Sequence, residues 1–225
     1  MKVKILCLLF SFLLFSKSGV VYAQETSGSR AYLFDAFKPA TVKMKNGSRA
    51  EATFNYDGKK QEMVYYANNQ LMILDGIQQI DTIFIEKRMF IPAGKGFREV
   101  VRLSKGVLQI DWKISRLYAG KKGAYGQVTH GGTVQNINPG YLSGYLSTQS
   151  TDNKSDQVFT TVLKNEYYLL TKGKPIKFNS LKTLLKLFPE DLHPAIKSYI
   201  KDEKLSMDVP EDVHKLAEFC VNLNQ

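Results

Sequence analysis

Short runs that alternate between apolar and polar residues, each followed by a turn dipeptide, fill the first half of the chain. The runs cover residues 41–45, 48–56, 62–67 and 70–74, and the turns are Asn-Gly, Asp-Gly, Asn-Asn and Asp-Gly. Asparagine, aspartate and glycine tolerate the positive φ angles that tight hairpin turns require. The pattern therefore predicts consecutive antiparallel strands joined by hairpins.

The alternation is regular in residues 107–115, where every second position is occupied by Leu108, Ile110, Trp112 and Ile114. Side chains two residues apart share one face of a strand, so these four are predicted to be buried together. Residues 81–86 and 97–103 continue the pattern. We predict that residues 31–118 form a meander of about seven or eight strands, curled into a roll or a sandwich.

Residues 119–156 have a different composition from the segments on either side. They contain seven glycines, few long aliphatic side chains and a second half rich in Ser, Thr, Asn and Gln. Such a composition predicts a long loop, and loops of this length are commonly functional or disordered. After it, residues 158–164 and 166–171 are predicted to pair as a hairpin across Asn165.

Apolar residues at helical spacing mark the end of the chain. Three stripes follow one another: Leu181, Leu184, Leu185 and Phe188; Leu192, Ile196, Tyr199 and Ile200; Val213, Leu216, Ala217 and Cys220. Asn179 is the predicted N-cap of the first helix, and Asp208 with Glu211 has capping-box spacing before the third. Pro194 fits the second helix only within its first turn. The predicted class is α+β: an antiparallel β roll or sandwich followed by a hairpin and a short three-helix C-terminal unit.

The first 23 residues have the features of a cleaved secretory signal. Lys2 and Lys4 precede an apolar run over residues 5–15, and Ala23 ends a stretch of less apolar residues. The apolar run is too short to span a bilayer. We therefore predict export to the periplasm, the cell surface or the medium. The expected organisation is a signal peptide at 1–23, a β domain at 24–118, a Gly/Ser-rich loop at 119–156 and a hairpin plus helical unit at 157–225.

Positive charge is concentrated in one part of the chain. The whole sequence carries +10, and removal of the leader leaves +7. Residues 87–122 contain ten Lys and Arg but only two acids. Such a field favours anionic partners, although a solvated face that keeps the protein soluble is the favoured explanation of the charge pattern alone. The candidate ligand surface includes Lys87, Arg88, Arg98, Arg102, Arg116, Lys121 and Lys122.

Tyrosines in and beside the glycine-rich segment extend this candidate surface. They are accompanied by one histidine: Tyr118, Tyr125, His130, Tyr141 and Tyr145. Tyrosine combines an aromatic face with a hydroxyl group, which suits a carbohydrate or an anionic glycan. The alternative is that these rings attach the loop to the sheet.

No catalytic, metal or cofactor motif is recognised. The three histidines are widely spaced, and the segment Gly140–Gly144 has its serine one place too late for a nucleophile elbow. Cys220 lies on an apolar helical stripe and is predicted to be a buried hydrophobic residue. Strand-end acids such as Asp75, Asp81, Glu86 and Asp111 are catalytic candidates only in a general sense. We expect no cofactor, no bound metal and no nucleic-acid partner.

The chain resembles a group of uncharacterised exported proteins from Gram-negative bacteria. The resemblance is carried by residues 37–47, 54–57, 81–85 and 90–92, by a glycine-rich segment at 120–132 and by residues 187–189 and 196–201. Asn46-Gly47 stands where the group usually has Asp-Gly, and Pro194 departs from the pattern of the helical tail. The resemblance implies the same architecture and location, and it implies no mechanism.

Together these features favour a non-enzymatic envelope protein that binds an anionic or glycan ligand, the envelope surface or another envelope protein. Two alternatives remain: a secreted hydrolase acting on glycan or peptide, and a structural or assembly protein. Paired acids in a deep pocket would support the hydrolase. A large exposed apolar patch would support an assembly role. The oligomeric state is left open.

We expect the chain, produced with its leader in a Gram-negative host, to be recovered outside the cytoplasm with Gln24 as its first residue. The reason is that signal peptidases cut after small side chains such as Ala23. Intact-mass spectrometry of periplasmic and cytosolic fractions measures this. Full-length, uncut protein in the cytosol would contradict the prediction.

Overall fold

The computed structural model describes residues 30–122, 128–129, 150–151, 157–171 and 173–223. Ten strands of the described chain form one antiparallel sheet. They are β1 (Lys38–Met44), β2 (Arg49–Asp57), β3 (Glu62–Ala67), β4 (Gln70–Ile73), β5 (Ile80–Ile85), β6 (Arg88–Ala93), β7 (Gly96–Leu103), β8 (Gly106–Asp111), β13 (Glu166–Leu170) and β14 (Ile176–Phe178). Four others form a second sheet: β9 (Ile114–Lys122), β10 (Val128–Thr129), β11 (Ser150–Thr151) and β12 (Gln157–Leu163).

The large sheet is built from two meanders that meet side by side. Its strand order is β14-β13-β8-β7-β6-β5-β1-β2-β3-β4. The chain does not continue from β4 to a neighbouring strand. A 3₁₀ turn at Ile77–Gln79 instead returns it to β1, where β5 pairs antiparallel with Val42 opposite Ile83. The predicted single meander is therefore corrected to two, β1–β4 and β5–β8.

The predicted hairpin across Asn165 is wrong. β12 pairs with β9 in the small sheet, whereas β13 pairs with β8 and β14 in the large one. Asn165 therefore lies between two strands that belong to different sheets. Its side chain accepts a hydrogen bond from the backbone N–H of Lys113 at 3.1 Å. The predicted start of the loop, at residue 119, is also wrong because β9 continues to Lys122.

Strand β6 was not predicted from the sequence. Its flanking turn has Glu86 at a φ of 53°, without the Asn-Gly or Asp-Gly signal of the other hairpins. Pro92 lies inside β6 opposite Phe97, and proline weakens a strand prediction because it lacks the backbone N–H. The strand forms nevertheless, because the Phe90 side chain within it is fully buried in the core.

Helices follow the sheet near the C-terminus, so the α+β class is confirmed. They are α1 (Leu181–Leu185), a 3₁₀ turn (Glu190–Leu192), α2 (His193–Asp202) and α3 (Pro210–Leu223). Only part of the predicted three-helix unit is seen, because α1 has five residues. Within the described chain, no helix has both the length and the apolar character needed to cross a bilayer.

The helix ends differ in part from the predictions. The N-cap of α1 is Ser180, whose side chain accepts from the N–H of Thr183, and not Asn179. Pro194 lies in the first turn of α2, as its fixed φ angle requires. The capping-box spacing predicts Asp208 as the N-cap of the third helix. Helix α3 instead begins at Pro210, so Asp208 lies one residue before the N-cap position.

The core lies between the inner face of the large sheet and the helices. All four residues of the Trp112 stripe are buried, and so are Val213, Leu216, Ala217 and Cys220 of α3. Helix α3 packs on β7 and β8. Its outer end is joined to their turn because Ser104 donates hydrogen bonds to Glu218 at 3.0 Å and to Asn222 at 2.9 Å.

The β2–β3 turn closes the curl of the large sheet. Asp57 is fully buried and accepts from Arg30 at 3.1 Å, from the N–H of Ala31 at 3.2 Å and from the N–H of Lys59 at 3.0 Å. A Cβ at Gly58 would lie 2.3 Å from Cγ1 of Ile114, and one at Gly96 would lie 2.6 Å from the carbonyl oxygen of Gln61. Both glycines are therefore required by close approach of the backbone.

An ion pair and a tryptophan are held inside this curl. Arg88 donates to both carboxylate oxygens of Glu99, at 2.7 and 2.5 Å, and Trp112 Nε1 donates to Glu99 at 2.7 Å. The Arg88 guanidinium lies about 5 Å from the ring centres of Phe34 and Trp112. Glu99 is only 6% exposed, so the carboxylate is satisfied by these partners and not by water.

Glu99→Gln is expected to lower the free energy of unfolding by about 3 kcal/mol, because it leaves the Arg88 charge without its partner. Urea unfolding followed by circular dichroism and by the fluorescence of Trp112 measures the change. Arg102→Gln, on the same strand but exposed, is the matched control and should shift stability by less than about 0.5 kcal/mol. Equal stability of E99Q and the wild type would contradict a structural role for this pair.

Candidate functional site

The basic residues of the predicted surface are divided between the two faces of the large sheet. Arg88 projects to the inner face with Phe90 and Glu99. Arg98 and Arg102, which are four residues apart on β7, lie on the outer face. Lys87 is exposed in the turn between β5 and β6. The structure therefore does not bring Arg88 together with Arg98.

Four members of the predicted surface lie on β9 of the small sheet. Arg116 places its guanidinium 5.1 Å from the ring centre of Phe159, and the Tyr118 ring meets the same phenylalanine edge-on at 6.0 Å. Tyr118 is 44% exposed. Lys121 and Lys122 lie at the end of β9. Tyr125, His130, Tyr141 and Tyr145 fall outside the described residues.

A set of polar side chains is assembled on the outer face where β7, β8, β13 and β14 run side by side. Alternation along each strand and the pairing between strands place them in two rows. One row contains Arg98, Asp111 and Glu166, and the other contains Gln109, Tyr168 and Lys177. We call these six residues together with Lys113 the polar face.

Arg98 is held in the polar face by an aromatic ring. Its guanidinium carbon lies 3.5 Å from the ring centre of Tyr168, a cation–π contact. Its Nη1 donates to Gln109 at 3.4 Å, and its Nε is buried without a hydrogen-bond partner. Among the described residues, Arg98 forms no salt bridge. The arginine is thus fixed in direction while its charge is left without a bonded anion.

Two lysines hold the carboxylate of Glu166. Lys113 Nζ lies 2.7 Å from one oxygen and Lys177 Nζ lies 2.9 Å from the other. Hydrogen bonds and charge from these lysines lower the pKa of Glu166 to about 2, with Lys113 the larger cause. Glu166 is therefore an ionised acceptor throughout the physiological pH range.

Asp111 stands directly opposite Glu166 on the neighbouring strand. Burial raises the pKa of Asp111, and the charge of Glu166 raises it further, against the opposing effects of Lys113 and Arg98. The Gln61 amide donates a hydrogen bond to Asp111. The two facing carboxyl groups thus have pKa values displaced in opposite directions.

The polar face combines donors, acceptors and an aromatic ring on an open sheet surface. It can form hydrogen bonds in both directions and can pair with an anionic group. No group of three His, Cys, Asp or Glu in the described chain is arranged to hold a metal ion. Burial raises the pKa of the Cys220 thiol to about 12, which makes it inert. His193 is bound to the backbone oxygens of Leu185 and Phe188.

Most of the polar face was not predicted as a site from the sequence, namely Gln109, Lys113, Glu166, Tyr168 and Lys177. Arg98 and Asp111 were named, but for different reasons. The available signal was the alternation in residues 166–170, which separates Tyr167 and Leu169 from Glu166 and Tyr168. It gave the faces of β13 but not its partner, because pairing with β8 joins residues more than fifty positions apart.

Comparisons with known proteins add no relative to this picture. No protein-family model, no curated protein and no solved structure matches the chain. The resemblance to exported proteins of Gram-negative bacteria stays a prediction. The functional argument therefore depends on the chain's own residues.

Lys177→Met is expected to raise the pKa of Glu166 from about 2 towards its ordinary value, because one of its two cations is removed. The depressed pKa stabilises the fold above the unfolded-chain value of about 4.3, and this contribution is lost as the pH falls towards 2. Carboxyl ¹³C NMR titration measures the pKa directly. Lys182→Met, an exposed lysine on α1, is the control, and an unchanged Glu166 titration in K177M would refute the assignment.

Proposed function

We propose that this chain is an exported binding protein of the cell envelope and that its polar face binds an anionic glycan. Support for export comes from the leader described above, with its charged start, short apolar run and small residues before Gln24. The ligand class is argued from the geometry of the polar face.

The state of Arg98 is the observation that carries the proposal. Stacking on Tyr168 at 3.5 Å fixes the guanidinium plane, so little conformational entropy is lost when a ligand binds. No described carboxylate lies within salt-bridge distance of Arg98. A fixed guanidinium without a paired anion favours a carboxylate, sulfate or phosphate group of a ligand.

The charge balance of the surrounding residues favours the same ligand. Lys113 and Lys177 share one carboxylate, that of Glu166. Arg98 faces only Asp111, so the seven residues hold three cations, Arg98, Lys113 and Lys177, against two acids. The polar face is therefore net positive. The Asp111 carboxylate and the Tyr168 hydroxyl can accept hydrogen bonds from sugar hydroxyl groups.

A hydrolase acting on glycan is the second candidate, and one observation favours it. Asp111 and Glu166 are directly opposite each other, and their pKa values are displaced in opposite directions. Such a pair can provide a general acid and an ionised partner. Against it, two lysines already occupy both oxygens of Glu166, and the open sheet face does not exclude water.

For the C-terminal helices we propose that they act as one unit that supports β13 from the inner side. Tyr199 of α2 stacks on Phe219 of α3 with 3.9 Å between ring centres and 7° between planes. Helix α1 follows directly from β14, and Phe178 stacks on Tyr167 of β13 at 5.5 Å. The unit would therefore fix the strand that carries Glu166 and Tyr168.

A glycan array that carries acidic and neutral saccharides tests the binding function. We expect the mature chain to bind acidic members and Arg98→Gln to bind them about tenfold more weakly, since the lost charge-assisted hydrogen bond contributes about 1.4 kcal/mol. Arg49→Gln, an exposed arginine on β2, is the control and should bind normally. Added salt should weaken the binding, because charge pairs are screened.

The outcomes separate the candidates. An array without acidic hits, or equal binding by wild type and R98Q, overturns the proposed function. Shortening of a bound glycan by the wild type and not by Asp111→Asn identifies the hydrolase. Because Asp111→Asn retains most of the side-chain volume, loss of cleavage with normal folding would not be explained by a structural defect.

A further inference from the structure

A cleft of about 460 Å³ adjoins the polar face, between the β12–β13 connection and the C-terminal helices. It begins where the polar face ends and shares Lys113 and Glu166 with it. The remaining lining includes Asn165, Tyr167, Asn179, Met207 and Asp208. A single water takes up about 30 Å³, so the cleft has room for a ligand several times larger than water.

The side-chain amide of Asn165 has a buried N–H group that forms no hydrogen bond of good geometry in the described chain, although the Tyr167 hydroxyl lies nearby. Its Oδ1 accepts the N–H of Lys113 at 3.1 Å, which fixes the direction of the amide. Its Nδ2 is buried and has no partner of hydrogen-bond geometry. Buried amide donors are nearly always paired in folded proteins, and an unpaired one therefore indicates a group that binds there.

Tyr167 supplies a second polar atom beside this amide. Its ring is 2% exposed and stacks on Phe178, so the hydroxyl position is set by core packing. Burial raises the pKa of the phenol to about 12, with smaller contributions from Glu211 and Asp208, while the nearby Asn165 amide lowers it. The hydroxyl therefore stays protonated and can both donate and accept.

One side of the cleft carries two lysines, and the other side carries an acid and an amide. Lys113 and Lys164 stand on the sheet side, where the Lys164 N–H donates to the Lys113 carbonyl at 2.8 Å. The helix side carries Asp208 and the amide of Asn179. An apolar ligand would leave these polar groups unsatisfied, and a simple anion would meet Asp208. A compact ligand with several hydroxyl groups satisfies both sides.

We propose that this cleft binds one sugar residue, at the end of the glycan whose neighbouring residues contact the polar face. The inference rests on the proposed function and adds to it a defined subsite. The Asn165 Nδ2 donates to a sugar oxygen, the Tyr167 hydroxyl accepts or donates beside it, and Asp208 accepts from a further hydroxyl. Met207 provides the apolar contact for the face of the ring.

NMR titration of ¹⁵N-labelled protein with free monosaccharides tests this subsite. Glucose, N-acetylglucosamine and galacturonate represent neutral, amino and acidic hexoses. We expect at least one of them to shift the side-chain amide signals of Asn165 and the backbone signal of Met207. Asn165→Asp replaces the donor by an acceptor but keeps Oδ1 for the Lys113 N–H, and it should weaken binding about tenfold.

Asn69→Asp makes the same chemical change at an exposed position in the turn between β3 and β4 and is the matched control. If none of the three sugars moves these signals, or if N165D and wild type bind equally, the subsite is overturned.

Arg98→Gln distinguishes this failure from failure of the proposed function. R98Q should lose the acidic glycan on the array while the free monosaccharide still shifts Asn165. Glycan binding without any signal change at Asn165 overturns the subsite alone. Absence of glycan binding together with monosaccharide binding in the cleft overturns the polar face as the site of the anionic glycan.

Discussion

Asp57 is a fully buried carboxylate that accepts hydrogen bonds from the N-terminal segment and from its own turn at the same time. A buried carboxylate is tolerated only when its oxygens are satisfied. Arg30, the N–H of Ala31 and the turn amides satisfy it, and in doing so they fix the shape of the β2–β3 turn. That turn contacts β7 through Gly96 and β9 through Ile114, so the curl of the sheet depends on this one charged group.

The same turn reaches the polar face. Gln61 follows Asp57 by four residues and donates to Asp111, the half-buried acid at the end of β8. Tyr56, on the other side of Asp57, donates its hydroxyl to the Phe97 carbonyl at 3.3 Å. The residue after Phe97 is Arg98. Packing of the turn therefore sets the positions of Arg98 and Asp111, two of the three residues in their row, and the geometry of the polar face depends on the closure of the sheet.

The spacing of apolar residues correctly predicted the features that depend on one strand or one helix alone. The stripe around Trp112 and the stripe ending in Cys220 are buried because period and burial are linked within one strand or helix. Partners of strands are not determined in this way. Asn165 looked like a hairpin turn, but its amide binds Lys113, and β12 and β13 separate into different sheets. Most of the polar face was missed for the same reason, since Glu166, Tyr168 and Lys177 meet Arg98 only through pairing across the sheet.

Glu166 and Asp111 lie opposite each other although they are far apart in the sequence, and such pairs raise the contact order of the fold. Bringing together segments separated by more than fifty residues costs loop-closure entropy before any pairing energy is gained. The eight strands that precede β9 can associate through near neighbours in sequence, whereas β13 must wait for the intervening chain. The polar face is thus completed in the last stage of folding, and partly folded molecules display an incomplete surface that lacks Glu166, Tyr168 and Lys177.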